Sequence, residues 1–289
     1  MSRLKSNGWL AASLVFAVFL WGGNNAGVKF LVGFWPPVFV GATRFLCAGL
    51  VLLAVLRWTA WLGPWQPPPR NLQYWALRFT SASHVALILG ASPLWALVWE
   101  RDAASPLETL FKYAAALVAL AGVGVLFWPA LKGSTASWPG EALGVLASFL
   151  WTNYSRQCRL LGRHLNGAEI TAQAMWRAAL WLAPLAAWEM RQRTVGLRAD
   201  VLGVQGYCII AGGVIAFALW TNALRHWPTS QVLLFNNLIP LSTMAWAHVW
   251  LGEPLTHTFG LAMLLIVGGV IVGQTPWRAV SAPAQPPPE

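Results

Sequence analysis

The sequence predicts an all-α polytopic membrane protein of ten transmembrane helices, built as two inverted five-helix repeats. Three observations support this fold class. Of the 289 residues, 57% are hydrophobic and only 10% are charged, whereas a soluble domain carries about 25% charged residues. Apolar segments of about 20 residues, the length that crosses a bilayer, recur along the chain. The second half of the chain also repeats the pattern of the first. Together these observations exclude a soluble enzyme, a secreted disulfide scaffold and a disordered chain.

The net charge of +10 does not indicate nucleic-acid binding. The 19 Lys and Arg residues are spread between the apolar segments, whereas a phosphate-binding surface gathers them on one face. Basic loops beside a bilayer explain this distribution. The three cysteines, Cys47, Cys158 and Cys208, lie far apart in or beside apolar stretches. We interpret them as small buried hydrophobic residues.

Nine segments are long and apolar enough to be predicted as membrane spans. They lie at residues 8–32, 36–60, 82–100, 108–128, 139–161, 168–190, 200–225, 228–249 and 256–275. The first span follows Arg3 and Lys5 but lacks a small-residue cleavage site, so we expect it to be retained rather than removed as a signal peptide. The proline-rich tail from Ala282 to Glu289 is predicted to be disordered.

The two halves of the chain share one pattern. The segment A-L-R-F-T-S-A-S-H-V at 76–85 matches A-L-R-H-W-P-T-S-Q-V at 223–232, and each is followed by a proline within the span, Pro93 and Pro240. Five spans per copy is an odd number, so the two copies cross the membrane in opposite directions. Inverted repeats of this kind are a transporter architecture, with the substrate site at the midplane between the halves.

The first copy is shorter than the second. Between matching positions, residues 44–76 contain 14 positions fewer than residues 177–223. The gap falls before Tyr74, where the third of the ten spans begins. Because a helix of about ten residues does not cross a core about 30 Å thick, we expect span 3 to be truncated in this sequence. We favour an absence of residues between Trp65 and Tyr74 as the reason.

The loop charges predict the orientation in the membrane. With the N-terminus in the cytoplasm, the cytoplasmic loops receive eleven Lys and Arg residues and the outer loops receive six. Cationic loops are retained in the cytoplasm. The protein is therefore expected in the cell inner (plasma) membrane, with both termini cytoplasmic. The outer cluster of Arg191, Arg193 and Arg198 runs against this prediction.

Three motifs in a fixed order resemble a known transporter family. They are W-G-G-N-N-A-G-V-K-F in span 1, P-P-V-F-V-G-A-T-R-F in span 2 and L-G-E-P-L-T before a glycine-rich last span. In this order they resemble EamA-type permeases of the drug/metabolite transporter superfamily, over nearly the whole chain. Within the superfamily the chain is most similar to the YddG-type bacterial exporters of aromatic and other neutral amino acids. The first copy departs from the pattern, with E-R-D-A-A-S-P-L in place of L-G-E-P-L-T.

The resemblance implies ten spans and cytoplasmic termini around a central substrate cavity. We expect a first EamA-like repeat at residues 1–132 with spans 1–5, a second at 139–276 with spans 6–10, and a cytoplasmic tail at 277–289. The expected function is export of neutral or aromatic amino acids, or similar small metabolites, by alternating access. The expected partners are the small-molecule substrate and the lipid bilayer, without nucleic acid, cofactor or metal. The sequence leaves the oligomeric state open.

Polar and aromatic side chains inside the spans are the candidates for the cavity, because polar groups are costly in lipid. Asn24 and Asn25 lie within a G-x-x-x-G spacing that lets another helix approach. We expect one of them to face that helix and the other to face the cavity. The full candidate set is Trp21, Asn24, Asn25, Tyr74, Ser81, His84, Trp95, Trp151, Asn153, Trp176, Trp220 and Asn237.

Each candidate also has a structural alternative that the sequence leaves open. The amides are suited to hydrogen bonds between helices. The tryptophans are suited to packing against lipid, and His84 to a hydrogen-bonded structural role. Arg44 and Arg177, which match between the copies, are expected to be structural and to cap carbonyls of a neighbouring helix. Binding of a substrate carboxylate is the alternative for either arginine.

Pro93 and Pro240 are the candidate hinges. A proline removes an intrahelical hydrogen bond and leaves a carbonyl free in the middle of a span. A static kink is the alternative interpretation.

The acidic residues are all absent from the predicted membrane midplane. The nine Asp and Glu residues lie at span ends, in loops or in the tail, whereas proton-driven antiporters usually carry a relay carboxylate at mid-membrane. Transport is therefore expected to be facilitative or weakly proton-coupled through His84. A multidrug or organic-cation exporter of the same superfamily is the alternative, and it requires an intramembrane carboxylate. An intramembrane enzyme is a remote alternative, since the five histidines show no metal-ligand spacing. We predict no catalytic residue.

Overall fold

A computed structural model of the protein describes residues 2–58, 89–100, 106–133, 138–192, 195–252, 254–255 and 257–275. Within these ranges the chain forms helices and no strand. In chain order they are α1 Ser2–Leu31, α2 Pro37–Trp58, α3 Ser92–Trp99, α4 Pro106–Gly133, α5 Trp138–Leu161, α6 Gly167–Met190, α7 Ala199–Tyr207, α8 Ala216–His226, α9 Thr229–Leu234, α10 Ile239–Leu251 and α11 Phe259–Gln274. A π-helical segment, Cys208–Ile215, joins α7 to α8, and a 3₁₀ turn, Phe235–Leu238, joins α9 to α10.

The predicted all-helical membrane fold is confirmed. Among the described residues, five helical stretches have the length and apolar composition needed to cross a bilayer: Gly8–Leu31, Pro37–Trp58, Pro106–Trp128, Ala199–His226 and Thr229–Trp250. The last helix, Phe259–Gln274, is apolar but shorter. α5 and α6 are of similar length and less apolar, because they bury polar side chains inside the bundle, namely Ser148, Thr152, Ser155, Thr171 and Arg177.

Part of the predicted third and fourth spans cannot be compared with the structure. Of the predicted span 82–100, residues 89–100 are described, and α3 occupies most of them. The truncated third span and the candidates Tyr74, Ser81 and His84 lie outside the described residues.

α2 packs along α6 in the opposite direction. Near the end of α6, the Glu189 carboxylate accepts hydrogen bonds from the backbone N–H groups of Val38 (2.8 Å) and Phe39 (3.3 Å), in the first turn of α2. N–H groups at the start of a helix lack partners within the helix, so this carboxylate caps α2. Further along the pair, a Cβ added at Gly49 would lie 2.7 Å from the Trp176 backbone nitrogen. The close crossing therefore requires glycine at position 49.

α4 and α11 form a second antiparallel pair. Gly122 faces Ile266, while Gly269 faces Ala115 and Ala119. Membrane helices associate through small residues of this kind, because lipid provides no hydrophobic driving force between them. α2 and α6 are the second helices of the two predicted copies, and α4 and α11 are the last. Matching helices of the two copies thus pack together in opposite directions.

The two ends of the bundle differ in how their cores are built. The Glu100 end is the one where α3, α5 and α8 finish, and the Glu189 end is the one where α1 and α6 finish. Toward the Glu100 end, one apolar cluster joins both halves of the chain through the buried side chains Leu14, Ala96, Ala116, Trp151, Ile170, Trp220 and Leu233. Toward the Glu189 end, the described core divides into a cluster around Leu31 and Val201 and another around Val123 and Ile266. A further cluster follows the α2–α6 pair and reaches both ends, from Ala42 and Ala186 to Leu56 and Ala172. The described cluster that joins the most helices therefore lies toward the Glu100 end.

The glycine contacts of α11 predict a position-specific loss of stability. A Cβ at Gly269 would lie 2.8 Å from the Ala115 carbonyl oxygen and from the Ala119 nitrogen, whereas a Cβ at the adjacent Gly268 would meet nothing within 4 Å. We expect Gly269→Ala to lower the free energy of unfolding by about 1–3 kcal/mol through overpacking. Gly268→Ala should be neutral or slightly stabilising, because alanine has the higher helix propensity.

Thermal unfolding in detergent, followed by tryptophan fluorescence, measures both variants against wild type. Equal melting temperatures for the two variants would show that the α4–α11 crossing is looser than described.

Candidate functional site

Three tryptophans from both halves of the chain meet inside the bundle. The ring of Trp21 on α1 lies 6.0 Å from that of Trp151 on α5 and 5.0 Å from that of Trp220 on α8. Phe217 and Tyr154 complete this group, with Phe217 5.0 Å from Trp21 and Tyr154 5.5 Å from Trp151. We call these five side chains the aromatic cluster. Aromatic pairs in such tilted and edge-to-face arrangements stabilise a core beyond the area that they bury.

The π-helical segment beside the aromatic cluster accepts a hydrogen bond from Trp21. The Trp21 Nε1–H donates to the Gly212 carbonyl oxygen at 3.0 Å. π-helical turns are rare and occur frequently at functional sites. Trp220 is fully buried, and its indole nitrogen has no hydrogen-bond partner among the described residues. The cluster thus couples α1 to the irregular part of the α7–α8 span.

A chain of side-chain hydrogen bonds crosses from α2 through α1 to α10. Arg44 Nη1 donates to Asn24 Oδ1 at 2.9 Å, and Asn24 Nδ2 donates to Asn25 Oδ1 at 3.5 Å, the longest link. Asn25 Nδ2 then donates to Thr243 Oγ1 at 3.2 Å. We call these four residues the amide chain. It places two of the predicted site residues, Asn24 and Asn25, between a buried cation and a hydroxyl group.

Asn25 is exposed although it lies on the inner face of α1. Val18, Trp21 and Asn25 follow one another at helical spacing and therefore share a face. Val18 and Trp21 are buried, whereas Asn25 is exposed. A polar side chain in a span faces the bundle interior or a water-filled cavity rather than lipid. The inner face of α1 thus changes from packed to open between Trp21 and Asn25.

The predicted close approach at the G-x-x-x-G spacing of α1 is confirmed. A Cβ at Gly27 would lie 3.0 Å from Cys208 Sγ and 3.1 Å from Val204 Cγ1, and Gly23 packs against Tyr207. Asn24 lies on the same side as α2 and the π-helical segment, where a Cβ at Gly212 would meet its Oδ1. Of the two amides, Asn24 is therefore the one packed between helices.

A carboxylate holds the two halves of the chain together at the Glu100 end. Glu100, at the end of α3, accepts hydrogen bonds from the Thr229 N–H (2.6 Å), the Ser230 N–H (3.1 Å) and the Ser230 hydroxyl (2.6 Å) at the start of α9. It also forms an ion pair with Arg159 of α5, with Nη1 2.7 Å from Oε1. This side chain thus caps α9 and neutralises Arg159. We call this set of contacts the Glu100 clasp.

A cleft lies beside the Glu100 clasp, between α3, α4, α9 and α11. It is lined by Pro93, Leu97, Lys112, Ala116, Ser230, Gln231, Leu234 and Gly273. Lys112 forms an ion pair with Glu108 in the same helix, with a separation of 2.9 Å. The cleft therefore brings a candidate hinge, Pro93, close to Gln231, the residue that matches His84 in the repeat.

The remaining candidates lie apart from the aromatic cluster. Trp95 is 37% exposed, and its ring lies 6.2 Å from that of Phe149. Trp176 lies on α6 at the contact with α2, and its Nε1–H donates to Gln173 Oε1 of the same helix at 3.1 Å. The structure thus brings Trp21, Trp151 and Trp220 together, and it places Trp95 and Trp176 elsewhere.

Two predicted amides have different surroundings. Asn153 is half-buried on α5. Asn237 is fully buried in the 3₁₀ turn, and its Nδ2 donates to the Leu234 carbonyl oxygen at 3.3 Å. A Cβ at Gly90 would lie 2.8 Å from Asn237 Oδ1. This glycine lets the chain before α3 approach the Asn237 amide.

Both candidate hinge prolines lie in the first turn of a helix. Pro93 occupies the first turn of α3, and Pro240 occupies the first turn of α10, directly after the 3₁₀ turn. A proline is tolerated there, because the N–H group that it lacks has no partner in the helix. The span 229–251 is thus built from two helices that meet at Pro240.

Sequence reasoning missed several residues of the site. Tyr154 could have been selected from the sequence, because it ends the segment W-T-N-Y at 151–154. Phe217 could have been selected as well, because it lies three residues before Trp220 on the same helix. The sequence carries a weak signal for the π-helical segment, the Gly212–Gly213 pair. Thr243 and the Glu100 clasp have no local signal, because their partners are far away in the chain. The described residues contain no group of three or more His, Cys, Asp or Glu that could hold a metal ion.

Comparison with known proteins identifies the second half of the chain. Residues 138–273 match the EamA-like transporter family. This region is an EamA-like transporter domain. The predicted resemblance to EamA-type permeases is confirmed. With several apolar helices, the protein is a multi-pass membrane protein.

Relatives that match along nearly the whole chain carry transporter names. An "Uncharacterized transporter" of Archaeoglobus fulgidus is 22% identical over 279 residues, which cover 89% of this chain and 94% of the relative. A "Probable amino-acid metabolite efflux pump" of Salmonella typhimurium is 21% identical over 290 residues, which cover 93% of this chain and 94% of the relative. A crystal structure with 19% sequence identity superposes with a TM-score of 0.74 over 92% of this chain and 97% of its own. That similarity shows a shared fold along nearly the whole chain.

From the contacts of the Glu100 clasp we predict that removing the Glu100 carboxylate makes the Glu100 end open more easily. Hydrogen bonds to charged groups contribute about 1.5–3 kcal/mol each. We expect Glu100→Ala to loosen the contact of α3 with α5 and α9, and to speed the reaction of buried Cys158 with a membrane-permeant maleimide by about tenfold or more. The assay uses a background in which Cys47 and Cys208 are replaced by alanine, so that Cys158 is the only thiol.

Asp200→Ala is the matched control. Asp200 forms an ion pair with Arg198, two residues away, at the Glu189 end. Its removal should leave the labelling rate of Cys158 unchanged. If Glu100→Ala also left the rate unchanged, the clasp would not hold this end closed.

Proposed function

We propose that this protein exports neutral or aromatic amino acids, or similar small metabolites, by alternating access. The observation that carries the proposal is the position of the aromatic cluster beside the amide chain. Rings from α1, α5 and α8 form a buried apolar layer, and the exposed Asn25 amide lies one helical turn from Trp21. The whole-length similarity to the Salmonella typhimurium relative supports an amino-acid metabolite as substrate.

The chemistry of the proposed site suits a substrate without net charge. Its described polar groups are amides, hydroxyls and an arginine already bonded to Asn24. The described acidic residues lie at helix ends: Glu100, Glu108, Glu141, Glu169, Glu189 and Asp200. An organic cation would need a carboxylate inside the membrane, because an unpaired charge is costly there. A zwitterion with an aromatic side chain matches amides and rings together.

We assign the substrate cavity to the predicted residues near α1, namely Trp21, Asn24, Asn25, Trp151, Asn153 and Trp220. Tyr74, Ser81 and His84 belong to the same proposal through the matching of the two copies. Trp95, Trp176 and Asn237 were predicted for the cavity on the same sequence criteria. In the structure their contacts lie with Phe149, Gln173 and Leu234 respectively, so they support the proposal least.

The alternating-access mechanism is supported by the packing of the two proposed repeats, residues 1–132 and 139–276. The antiparallel pairs α2–α6 and α4–α11 join matching helices, as repeats related by an axis in the membrane plane require. The described cluster that joins the most helices lies toward the Glu100 end, and two smaller clusters lie toward the Glu189 end. Pro93 and Pro240, each at a helix start within a span, are the proposed hinges of the exchange between two such states.

The proposed location is the inner membrane, with the Glu100 end and both termini in the cytoplasm. The Glu100 end carries the larger set of Lys and Arg residues near helix ends, Arg3, Lys5, Arg57, Lys112, Arg156, Arg159, Arg163 and Arg225, and the Glu189 end carries Lys29, Lys132, Arg191 and Arg198. Cationic loops are retained on the cytoplasmic side. In this orientation the divided core faces the outside of the cell.

Uptake into proteoliposomes tests the proposed function. We expect the purified protein to transport labelled phenylalanine or tryptophan with saturation. Trp21→Phe removes the hydrogen bond to Gly212 and part of the ring area, so it should raise the KM for aromatic substrates by about tenfold, the effect of roughly 1.4 kcal/mol. Trp181→Phe is the matched control, because Trp181 is 68% exposed on α6, and it should behave as wild type.

Two results would contradict the proposal. One is a flux that rises linearly with substrate and never saturates, which is the behaviour of a channel. The other is saturable transport of organic cations, but not of neutral amino acids, by the wild-type protein. The second result would favour the multidrug or organic-cation exporter.

The absence of acidic residues from the middle of the described spans predicts weak or no coupling to protons. We expect substrate inside the vesicles to level off at the outside concentration, with or without a pH gradient. A protonophore should change the initial rate by less than about twofold, since no relay carboxylate is available. If the gradient drives accumulation and His84→Ala abolishes it, coupling runs through His84. Accumulation that survives His84→Ala would disprove both forms of the hypothesis.

A further inference from the structure

The orientation of the Asn24 amide is fixed by Arg44. A guanidinium group carries only donors. The atom of Asn24 that faces Arg44 Nη1 at 2.9 Å is therefore the amide oxygen, Oδ1. The Asn24 amide nitrogen must then point the other way, toward Asn25, whose Oδ1 lies 3.5 Å away.

The orientation of the Asn25 amide is fixed independently from α10. The Thr243 hydroxyl donates its proton to the Ile239 carbonyl oxygen at 2.9 Å. Having donated its only proton, Thr243 Oγ1 can only accept toward Asn25. The group that faces it at 3.2 Å is therefore the amide nitrogen, Nδ2. Both ends of the amide chain thus give Asn25 the same orientation, with Oδ1 toward Asn24 and Nδ2 toward Thr243.

The unused bonding capacity of Asn25 matches the end of an amino acid. An asparagine side chain has two N–H donors and two acceptor lone pairs. Thr243 takes one donor and Asn24 takes one lone pair. With respect to the described residues, one N–H and one lone pair remain on this exposed side chain. A zwitterionic α-amino acid presents a carboxylate acceptor and an ammonium donor on adjacent carbon atoms.

We propose that Asn25 binds the carboxylate and the ammonium of a zwitterionic substrate, and that Arg44 and Thr243 are positioning residues that hold its amide in the binding orientation. Arg44 acts through Asn24 and does not touch the substrate. This inference rests on the proposed function, because it names the substrate group that the proposed exporter holds beside the aromatic cluster. Recognition by one neutral amide selects a zwitterion over a cation or an anion.

The first test removes the orienting contacts and leaves the helices in place. Asn24→Asp keeps an acceptor for Arg44 but has no N–H to give to Asn25. Thr243→Val removes the acceptor for Asn25 without a change of shape. Each variant should raise the KM for phenylalanine uptake about tenfold while Vmax stays within about twofold, because a net hydrogen bond contributes about 1 kcal/mol or slightly more.

Matched controls separate positioning from packing. Thr243→Ser keeps the hydroxyl and should restore the wild-type KM. Thr275→Val removes a hydroxyl that likewise bonds to the carbonyl four residues earlier, Ile271, at 3.0 Å, and it should have no effect on the KM. The inference is overturned if Thr243→Val leaves the KM unchanged, or if Thr243→Ser is impaired as strongly as Thr243→Val.

A change of substrate preference is the second test. Asn25→Asp places a carboxylate at the position of the amide, which repels the substrate carboxylate and attracts the ammonium. We expect the KM for phenylalanine to rise about tenfold or more, while phenylethylamine, which has the ammonium and the ring but no carboxylate, becomes a better substrate than it is for wild type. Equal losses for both compounds would show that Asn25 has a structural role only.

The two proposals fail in different ways. If wild-type protein does not transport phenylalanine or another neutral amino acid, the proposed function is wrong. If wild type transports it, and Asn24→Asp, Thr243→Val and Asn25→Asp change neither the KM nor the preference between phenylalanine and phenylethylamine, the function stands and the inference about Asn25 is wrong.

Discussion

N–H groups at the start of a helix lack partners within the helix, and in this protein two carboxylates supply such partners across the bundle. Glu189 of α6 caps the start of α2, and Glu100 of α3 caps the start of α9. Both carboxylates join the first half of the chain to the second. Each contact therefore satisfies an N–H group and also fixes the position of two distant segments. The orientation of the spans and the closure of the Glu100 end both depend on these pairings.

Polar groups in the middle of the bundle also need partners within the protein, and there the bundle is aromatic on one side and amide-rich on the other. Trp21 and Asn24 lie three residues apart on α1, and both contact Gly212 of the π-helical segment. Without a side chain at position 212, the Trp21 indole reaches the backbone carbonyl, and Asn24 lies close enough to α2 to bond Arg44. The irregular turn is thus stabilised by both neighbours. A change in its hydrogen bonding would move the ring and the amide together.

The sequence was sufficient for the fold class and for part of the site, and the reasons are physical. Apolar segments of span length and an internal repeat are local and periodic signals, so the helices of both halves could be predicted. Trp21, Trp151 and Trp220 could be selected because tryptophan and amide residues stand out in an apolar span. The separate placement of Trp95 and Trp176 could not be foreseen, because the side of a helix that faces a neighbour depends on packing between distant segments. The partners of Glu100 and Thr243 could not be foreseen for the same reason, since Arg159 and Asn25 lie far from them in the chain.

Under the proposed function, the contrast between the two ends bears on how transport would proceed without a coupling ion. Opening the Glu100 end must break the four contacts of the Glu100 carboxylate and separate side chains of the large apolar cluster at that end. Charged hydrogen bonds contribute about 1.5–3 kcal/mol each, so this opening is strongly unfavourable unless the same groups find new partners. Closing the other end offers such compensation, because it would merge two apolar clusters that are now apart and shield the exposed Asn25. A neutral substrate at Asn25 adds no charge to either state. In the proposed mechanism, the exchange between states would therefore be governed by the contacts of the protein, with the substrate lowering the cost of enclosing the polar amide.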